Sequence, residues 1–125
     1  MDGSSKIKTF SLWLMAGFYV FAGANHFINP EFYLPLIPPY LPNPQAINVI
    51  SGIAEILLGV GLLFPQLRRF SSIGIILMLM AFIPSHVYFI AEDSCLGDLC
   101  VDNWVGIARL VVVHPLLILW AKFNI

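Results

Sequence analysis

The 125-residue chain has little charge. It contains six Lys and Arg and seven Asp and Glu residues, which together make up 10% of the sequence, whereas 59% of it is hydrophobic. A typical soluble domain is roughly 45–50% apolar and about 25% charged. A soluble protein of this size cannot bury so much apolar surface, so we expect lipid to cover the rest. The net charge of −1 does not indicate a nucleic-acid partner, and the length favours one domain.

Cysteine is also scarce, since Cys95 and Cys100 are the two in the chain. Their spacing differs from the Cys-x-x-Cys motif of thioredoxin-like redox proteins. Facing an oxidising compartment, they would form a disulfide that joins the ends of two neighbouring apolar segments. A catalytic dithiol is the alternative role.

Four long apolar segments occupy residues 9–28, 46–64, 70–91 and 103–123. Each has about 20 residues, the length of helix that crosses roughly 30 Å of hydrocarbon. They are hydrophobic all round and lack the period-two alternation of barrel strands. The sequence therefore predicts an all-α integral membrane protein, an antiparallel four-helix transmembrane bundle. The length of the first segment favours a spanning helix over a cleaved signal peptide.

The distribution of charge predicts the orientation. If all four segments cross the membrane, the basic residues that flank the segments fall on one side of it. The two loops on the opposite side, residues 29–45 and 92–102, contain no Lys or Arg. Because positive residues favour the cytoplasmic side, we expect both termini to be cytoplasmic. The basic residues are Lys6, Lys8, Arg68, Arg69 and Lys122, and the acidic residues of the two loops are Glu31, Glu92, Asp93, Asp98 and Asp102.

The first outer loop, residues 29–45, contains six of the nine prolines and many apolar and aromatic side chains. Proline opposes regular helices and central strands. We therefore expect an irregular segment that either anchors at the membrane interface or covers the helix bundle as a lid.

Glu55 lies at the centre of the second apolar segment, where an unpaired carboxylate would cost several kcal/mol. Asn48, Ser51, Gly52 and Gly59 fall on the same helical face. Small and polar residues of this kind occur where transmembrane helices contact each other. We therefore expect Glu55 to face the interior of the bundle.

Arg109 is the predicted partner of Glu55, because it is the one basic residue expected inside the membrane. Both would lie in the outer half of the bundle, and a guanidinium suits a carboxylate. We consider two roles for the pair. It locks two helices together, or Arg109 holds an anionic ligand while Glu55 accepts a proton.

Three histidines and nearby polar residues are expected at a similar depth, and this predicts a polar cavity in the outer half. No metal site is predicted, because no pair has local ligand spacing and Arg109 would repel a cation. Arg109 and His114 are five residues apart, about 140° around an α-helix, so they need not share a face. The cavity residues are His26, His86, His114, Asn25, Ser85 and Tyr88.

Pro84 and Pro115 lie beside His86 and His114 inside the third and fourth segments. A proline within a helix leaves a carbonyl without its donor and often bends the helix. We expect both to shape their helices, and the freed carbonyls could accept hydrogen bonds from the imidazoles.

A set of landmark residues occurs along the chain in a fixed order: Asn25-His26-Phe27, Pro30, Ser51-Gly52, Glu55, Gly59, Leu62-Leu63, Pro65, Arg68, Trp104 and Arg109-Leu110. In this order the landmarks resemble those of the DoxX-like family of small four-helix membrane proteins. The resemblance implies a bundle in a bacterial inner membrane, with some members linked to redox chemistry and others to assembly. This chain has His86 and His114 where relatives often carry Asn and Gln, which adds groups that titrate near neutral pH.

The leading functional hypothesis is a redox-associated membrane subunit that binds a quinone-like or small amphipathic molecule. Arg109 or a histidine would donate to a carbonyl oxygen, and Glu55 or His86 would carry a proton. The expected partners are the lipid bilayer and a redox partner protein or a second copy of the chain. The alternatives are a non-catalytic assembly or scaffold protein and a small transporter.

Overall fold

The computed structural model of the chain describes residues 3–96 and 99–124, and Asp98 lies outside them. The described chain is mostly helical. Its elements, in chain order, are α1 (Gly3–Ile28), α2 (Pro30–Tyr33), a 3₁₀ turn (Leu34–Leu36), α3 (Pro44–Gly61), α4 (Arg68–Ala81), α5 (Ile83–Ala91), β1 (Cys95–Leu96), β2 (Leu99–Cys100), α6 (Asn103–Ala108), a π-helix (Arg109–Val113) and α7 (His114–Phe123).

Within the described residues, four stretches of helix are long and apolar enough to cross a membrane: Lys6–Ile28, Pro44–Gly61, Arg68–Ala91 and Asn103–Phe123. The four helical segments predicted from the sequence are therefore confirmed, although their ends differ. The first helix begins at Gly3 instead of residue 9. The second ends three residues earlier than predicted, because the chain turns after α3 before α4 begins.

Helices α1 and α3 pack closely and run antiparallel. A Cβ atom built at Gly23 would lie 2.6 Å from the carbonyl oxygen of Gly52, and one at Gly59 would lie 3.0 Å from that of Ala16. Residues later in α3 therefore contact residues earlier in α1, which makes the two helices antiparallel. Glycine at these sites lets the two backbones approach to a distance that a larger residue would prevent.

The first turns of α1 and the last turns of α7 meet at one end of the bundle, which we call the basic end. Lys8 Nζ lies 5.5 Å from the centroid of the Phe123 ring. Trp120 Nε1 donates to Ser11 Oγ over 2.7 Å, and Ser11 Oγ donates to Asn124 Oδ1 over 3.1 Å. The buried apolar core lies near this end and comprises Leu12, Met15, Ala16, Tyr19, Leu62, Ile75, Met78, Leu79 and Ala121.

The proline-rich segment, residues 29–45, contains more helix than we predicted. Pro30 occupies the first turn of α2, where its missing N–H is not needed, and a 3₁₀ turn follows. Asn43 has a φ of 48° and its side chain accepts a hydrogen bond from Ala46 N, which caps α3. Ser85 Oγ donates to the carbonyl oxygen of Leu36 over 2.7 Å, and this bond attaches the segment to α5.

The third and fourth spans are not uniform α-helices. The third is interrupted at Phe82, and Pro84 lies in the first turn of the new helix α5. In the fourth span, the His114 N–H donates to the carbonyl oxygen of Arg109, five residues earlier, which is a π-helical bond. Pro115 follows directly and has no N–H for the carbonyl of Val111. As expected, both prolines therefore lie where their spans depart from regular α-helical geometry.

The second loop contains a short hairpin that was not predicted. Strands β1 and β2 pair antiparallel, with Cys95 opposite Cys100. The two cysteines form a disulfide, as expected from their position. Ser94 Oγ donates to Asn103 Oδ1 over 2.9 Å, and this bond ties the hairpin to the start of α6.

Candidate functional site

Glu55 is buried on the inward face of α3, as the sequence predicts, and 6% of its surface is exposed. The titratable side chain beside it is His26, whose Nε2 lies 3.4 Å from Glu55 Oε2. Within residues 3–96 and 99–124, no ion pair joins Glu55 to Arg109, so the predicted partner was wrong. The antiparallel packing of α1 on α3 brings His26, near the end of α1, beside Glu55.

Asn48 holds His26 in place through two hydrogen bonds. Asn48 Nδ2 donates to the backbone carbonyl oxygen of His26 over 2.9 Å, and Asn48 Oδ1 lies 2.7 Å from His26 Nδ1. Both residues are buried. The inward polar stripe of α3 is therefore confirmed, and it positions an imidazole as well as a carboxylate.

Tyr33, from α2, covers the other side of His26. The two rings are stacked with their centroids 3.9 Å apart. Asn25 Nδ2 donates to Tyr33 Oη over 2.7 Å, and Asn29 Nδ2 donates to Asn25 Oδ1 over 2.8 Å. The proline-rich segment thus contributes a side chain that packs directly on the site, which favours a lid over an interfacial anchor.

Arg109 and His114 line the same cavity, although five residues separate them. The π-helical bond between their backbones places residues five apart close to one face, whereas an α-helix would separate them by about 140°. Arg109 lies over the ring of Phe89, 5.6 Å from its centroid. His114 is buried, and its Nε2 donates to the carbonyl oxygen of Leu79. The His86 and His114 rings meet edge to face with their centroids 4.7 Å apart.

The site consists of two adjoining compartments. The lid-side compartment, of about 330 Å³, is bordered by the proline-rich segment and the start of α3. The core-side compartment, of about 190 Å³, extends towards the apolar core. Six residues line both compartments and form what we call the waist: His26, Tyr33, Glu55, Phe82, His86 and Arg109.

Two buried polar atoms at this site lack a hydrogen-bond partner among the described residues. They are Oε2 of Glu55 and the hydroxyl oxygen of Tyr19. Tyr19 is 2% exposed and lines the core-side compartment. Because buried polar groups usually have partners, such atoms mark a place where a proton, a water or a ligand is expected.

Tyr19 was missed in the reading of the sequence. It lies seven residues before His26, two helical turns, so the two side chains share a face of α1. That spacing could have identified it.

Some predicted residues lie away from the waist. Asn25 lines a separate open pocket of about 290 Å³ with Asn29, Glu31 and Phe32. Tyr88 is half-buried on α5 and does not line either compartment. Cys95 and Cys100 are exposed on the hairpin. For the part of the chain that the structure describes, no cluster of three or more His, Cys, Asp or Glu residues could hold a metal ion.

The waist places a carboxylate, two imidazoles and a guanidinium around one space inside an apolar bundle. Arg109 can donate hydrogen bonds to an acceptor oxygen, and the Glu55–His26 pair can hold or release a proton. The compartments on both sides are lined largely by apolar side chains. This arrangement suits a molecule with a small polar head and an apolar body.

No curated protein and no solved structure matches the chain. One family model, described as a domain of unknown function (DUF8561), matches residues 15–124. The match covers the second, third and fourth spans completely and the first from Met15 onwards, and it includes every waist residue. The chain therefore belongs to the DUF8561 family, whose description assigns no activity.

Proposed function

We propose that the chain is a membrane protein that binds a quinone-like or similar small amphipathic molecule at the waist, as a redox-associated subunit. The observation that carries the proposal is the polar waist between two largely apolar compartments, with the Tyr19 hydroxyl beside it lacking a hydrogen-bond partner among the described residues. Together the compartments reach the size range of small-molecule sites, roughly 300–1,000 Å³.

The head of the ligand would meet groups of complementary chemistry. Arg109 or His86 donates a hydrogen bond to a carbonyl oxygen of the head. The Glu55–His26 pair carries the proton that such an oxygen takes up when the ligand is reduced. The electrons come from a partner redox protein, and the chain contributes binding, orientation and the proton.

The proposal places the four apolar helices across a bacterial inner membrane with the basic end in the cytoplasm. The abundance of exposed apolar side chains along the spans supports insertion, because lipid would cover them. The clustering of Lys and Arg at one end supports the orientation. The resemblance to the DoxX-like family supports the redox association.

The test is ligand binding by the purified chain in lipid nanodiscs. Isothermal titration with a short-chain benzoquinone is compared for the wild type and Arg109→Met, and Arg69→Met serves as the control because Arg69 is exposed at the basic end. We expect saturable binding that Arg109→Met weakens by roughly tenfold, equivalent to about 1.4 kcal/mol. The control should bind like the wild type.

Absence of binding by the wild type would overturn the proposal. If Arg109→Met then lowered the unfolding temperature, the non-catalytic assembly role would explain the polar residues better. The hydrogen bonds of His26 with Asn48 and of His114 with Leu79 favour that second candidate, since each joins two different helices.

A further inference from the structure

We infer that Asn48 is a positioning residue that fixes His26 in one tautomer, so that His26 and Glu55 together hold one exchangeable proton beside the waist. The first step is the orientation of the Asn48 amide. A backbone carbonyl oxygen can only accept a hydrogen bond, so the atom of Asn48 that lies 2.9 Å from the His26 carbonyl is the amide nitrogen. The other atom, Oδ1, therefore faces the His26 ring.

The second step is the tautomer of His26. Asn48 Oδ1 lies 2.7 Å from His26 Nδ1, and an amide oxygen requires a donor at that distance. Nδ1 therefore carries a hydrogen in every protonation state that keeps this bond. In a neutral imidazole with a hydrogen on Nδ1, the other nitrogen, Nε2, has a bare lone pair.

The third step is the contact between His26 and Glu55. Nε2 lies 3.4 Å from Glu55 Oε2, and both side chains are buried. A bare nitrogen opposite an ionised carboxylate would leave two acceptors facing each other with no donor. One proton resolves this conflict, either on Nε2 as an imidazolium–carboxylate pair or on Glu55 as a carboxylic acid. In both forms the pair has no net charge, which suits an apolar surrounding.

Other titratable and charged groups face this pair from several elements. Tyr19 lies on α1, Tyr33 on α2, His86 on α5, Arg109 on the π-helix and His114 on α7. Among the described residues, Glu55 pairs with His26 and with no other charged side chain. The proton is therefore shared within the pair, and its transfer to a ligand at the waist rests on the proposed function.

The experiment is nitrogen-15 NMR of histidine-labelled chain in lipid nanodiscs, without ligand. His26→Gln assigns the His26 signals. In the wild type we expect Nδ1 to be of the hydrogen-bearing type and Nε2 to be intermediate between bare and hydrogen-bearing. In Glu55→Gln, Nδ1 should stay hydrogen-bearing while Nε2 shifts to the bare type, because the shared proton is lost.

Variants of Asn48 separate positioning from general structure. Asn48→Asp retains an acceptor oxygen opposite Nδ1, and its second oxygen, in the protonated acid, can replace Nδ2 as the donor to the His26 carbonyl. This variant should keep the hydrogen on Nδ1, whereas Asn48→Leu should populate the opposite tautomer. Asn124→Leu, which removes a buried Asn at the basic end, is the matched control and should leave the His26 signals unchanged.

A wild-type spectrum with bare Nδ1 and hydrogen-bearing Nε2 would overturn the inference, and so would an unchanged tautomer in Asn48→Leu. If Asn48→Leu does not fold, the wild type, Glu55→Gln and Asn48→Asp still decide the question. Because the spectra need no ligand, a lack of quinone binding contradicts the proposed function alone. A wrong tautomer in a chain that binds quinone contradicts this inference alone.

Discussion

The Nε2 atom of His26 lies 3.4 Å from Oε2 of Glu55, and no other side chain among the described residues forms a hydrogen bond or an ion pair with that oxygen. The two residues come from antiparallel helices whose backbones meet at Gly23 and Gly52. Close helix packing and the His26–Glu55 pair are therefore linked, since a wider separation of α1 and α3 would pull the imidazole away from the carboxyl group.

Replacement of Glu55 tests how the pair contributes to stability. Glu55→Leu should lower the free energy of unfolding by about 1–3 kcal/mol, because the buried His26 nitrogen loses its polar partner. Glu55→Gln should cost less than about 1 kcal/mol, because its amide can donate to Nε2. Unfolding followed by circular dichroism in detergent micelles provides the measurement. Equal losses in the two variants would contradict this account.

The contact between α1 and α3 depends on glycine at position 23. Gly23→Ala would place a Cβ atom 2.6 Å from the Gly52 carbonyl oxygen, and we expect a loss of about 1–3 kcal/mol from overpacking. Gly17→Ala on the same helix is the control, because a Cβ atom there meets nothing within 4 Å. It should be neutral or stabilise the helix by up to about 1 kcal/mol. Similar thermal unfolding of the two variants would count against the close approach.

Pro115 should determine which face of the fourth span carries Arg109. Pro115→Ala restores an N–H that can donate to the carbonyl of Val111 and favours a continuous α-helix. Arg109 and His114 would then separate by about 140° around the axis. We expect quinone affinity to fall by roughly tenfold, or about 1.4 kcal/mol, while the unfolding temperature stays the same or rises.

Pro65→Ala is the control for this change, since Pro65 lies in the exposed turn between α3 and α4. It should leave quinone affinity unchanged. Full affinity in Pro115→Ala would show that the π-helical turn does not position Arg109.

The disulfide should stabilise the hairpin and not the site. A thiol assay on the denatured chain should find no free thiol without reductant and the thiols of Cys95 and Cys100 after reduction. In the chain-entropy description, closing so short a loop contributes about 2 kcal/mol. Cys95→Ser with Cys100→Ser should therefore lower the unfolding temperature but leave quinone affinity as in the wild type. A loss of affinity in this double variant would instead connect the hairpin to the site.

The orientation of the bundle can be tested by labelling in intact cells. In the Cys95→Ser, Cys100→Ser background, a single cysteine replaces Tyr40 in the proline-rich segment or Lys122 at the basic end. If the basic end is cytoplasmic, as proposed, a membrane-impermeant maleimide should label Tyr40→Cys in intact cells and Lys122→Cys only after the membrane is opened. The reverse pattern would refute the proposed orientation.

Much of the fold could be predicted from the composition and from the spacing of apolar residues along the sequence. Runs of about 20 apolar residues favour helices long enough to span a membrane, since a backbone in lipid must satisfy its own hydrogen bonds. The inward position of Glu55 followed from the small and polar residues at helical spacing around it. The short helix α2 was missed because the prolines were taken to exclude helix, although proline is favoured in a first helical turn. The hairpin was missed because it depends on pairing across the loop, which residue spacing alone does not specify.

The sequence by itself determined the four apolar helices, the concentration of basic charge at one end and the inward face that carries Glu55. The tertiary structure alone decided that Glu55 meets His26 instead of Arg109, because glycine contacts set how α1 and α3 align. It also decided that Arg109 and His114 share a cavity. The α-helical period places residues five apart on different faces, and only the π-helical bond after Ala108 brings these two together.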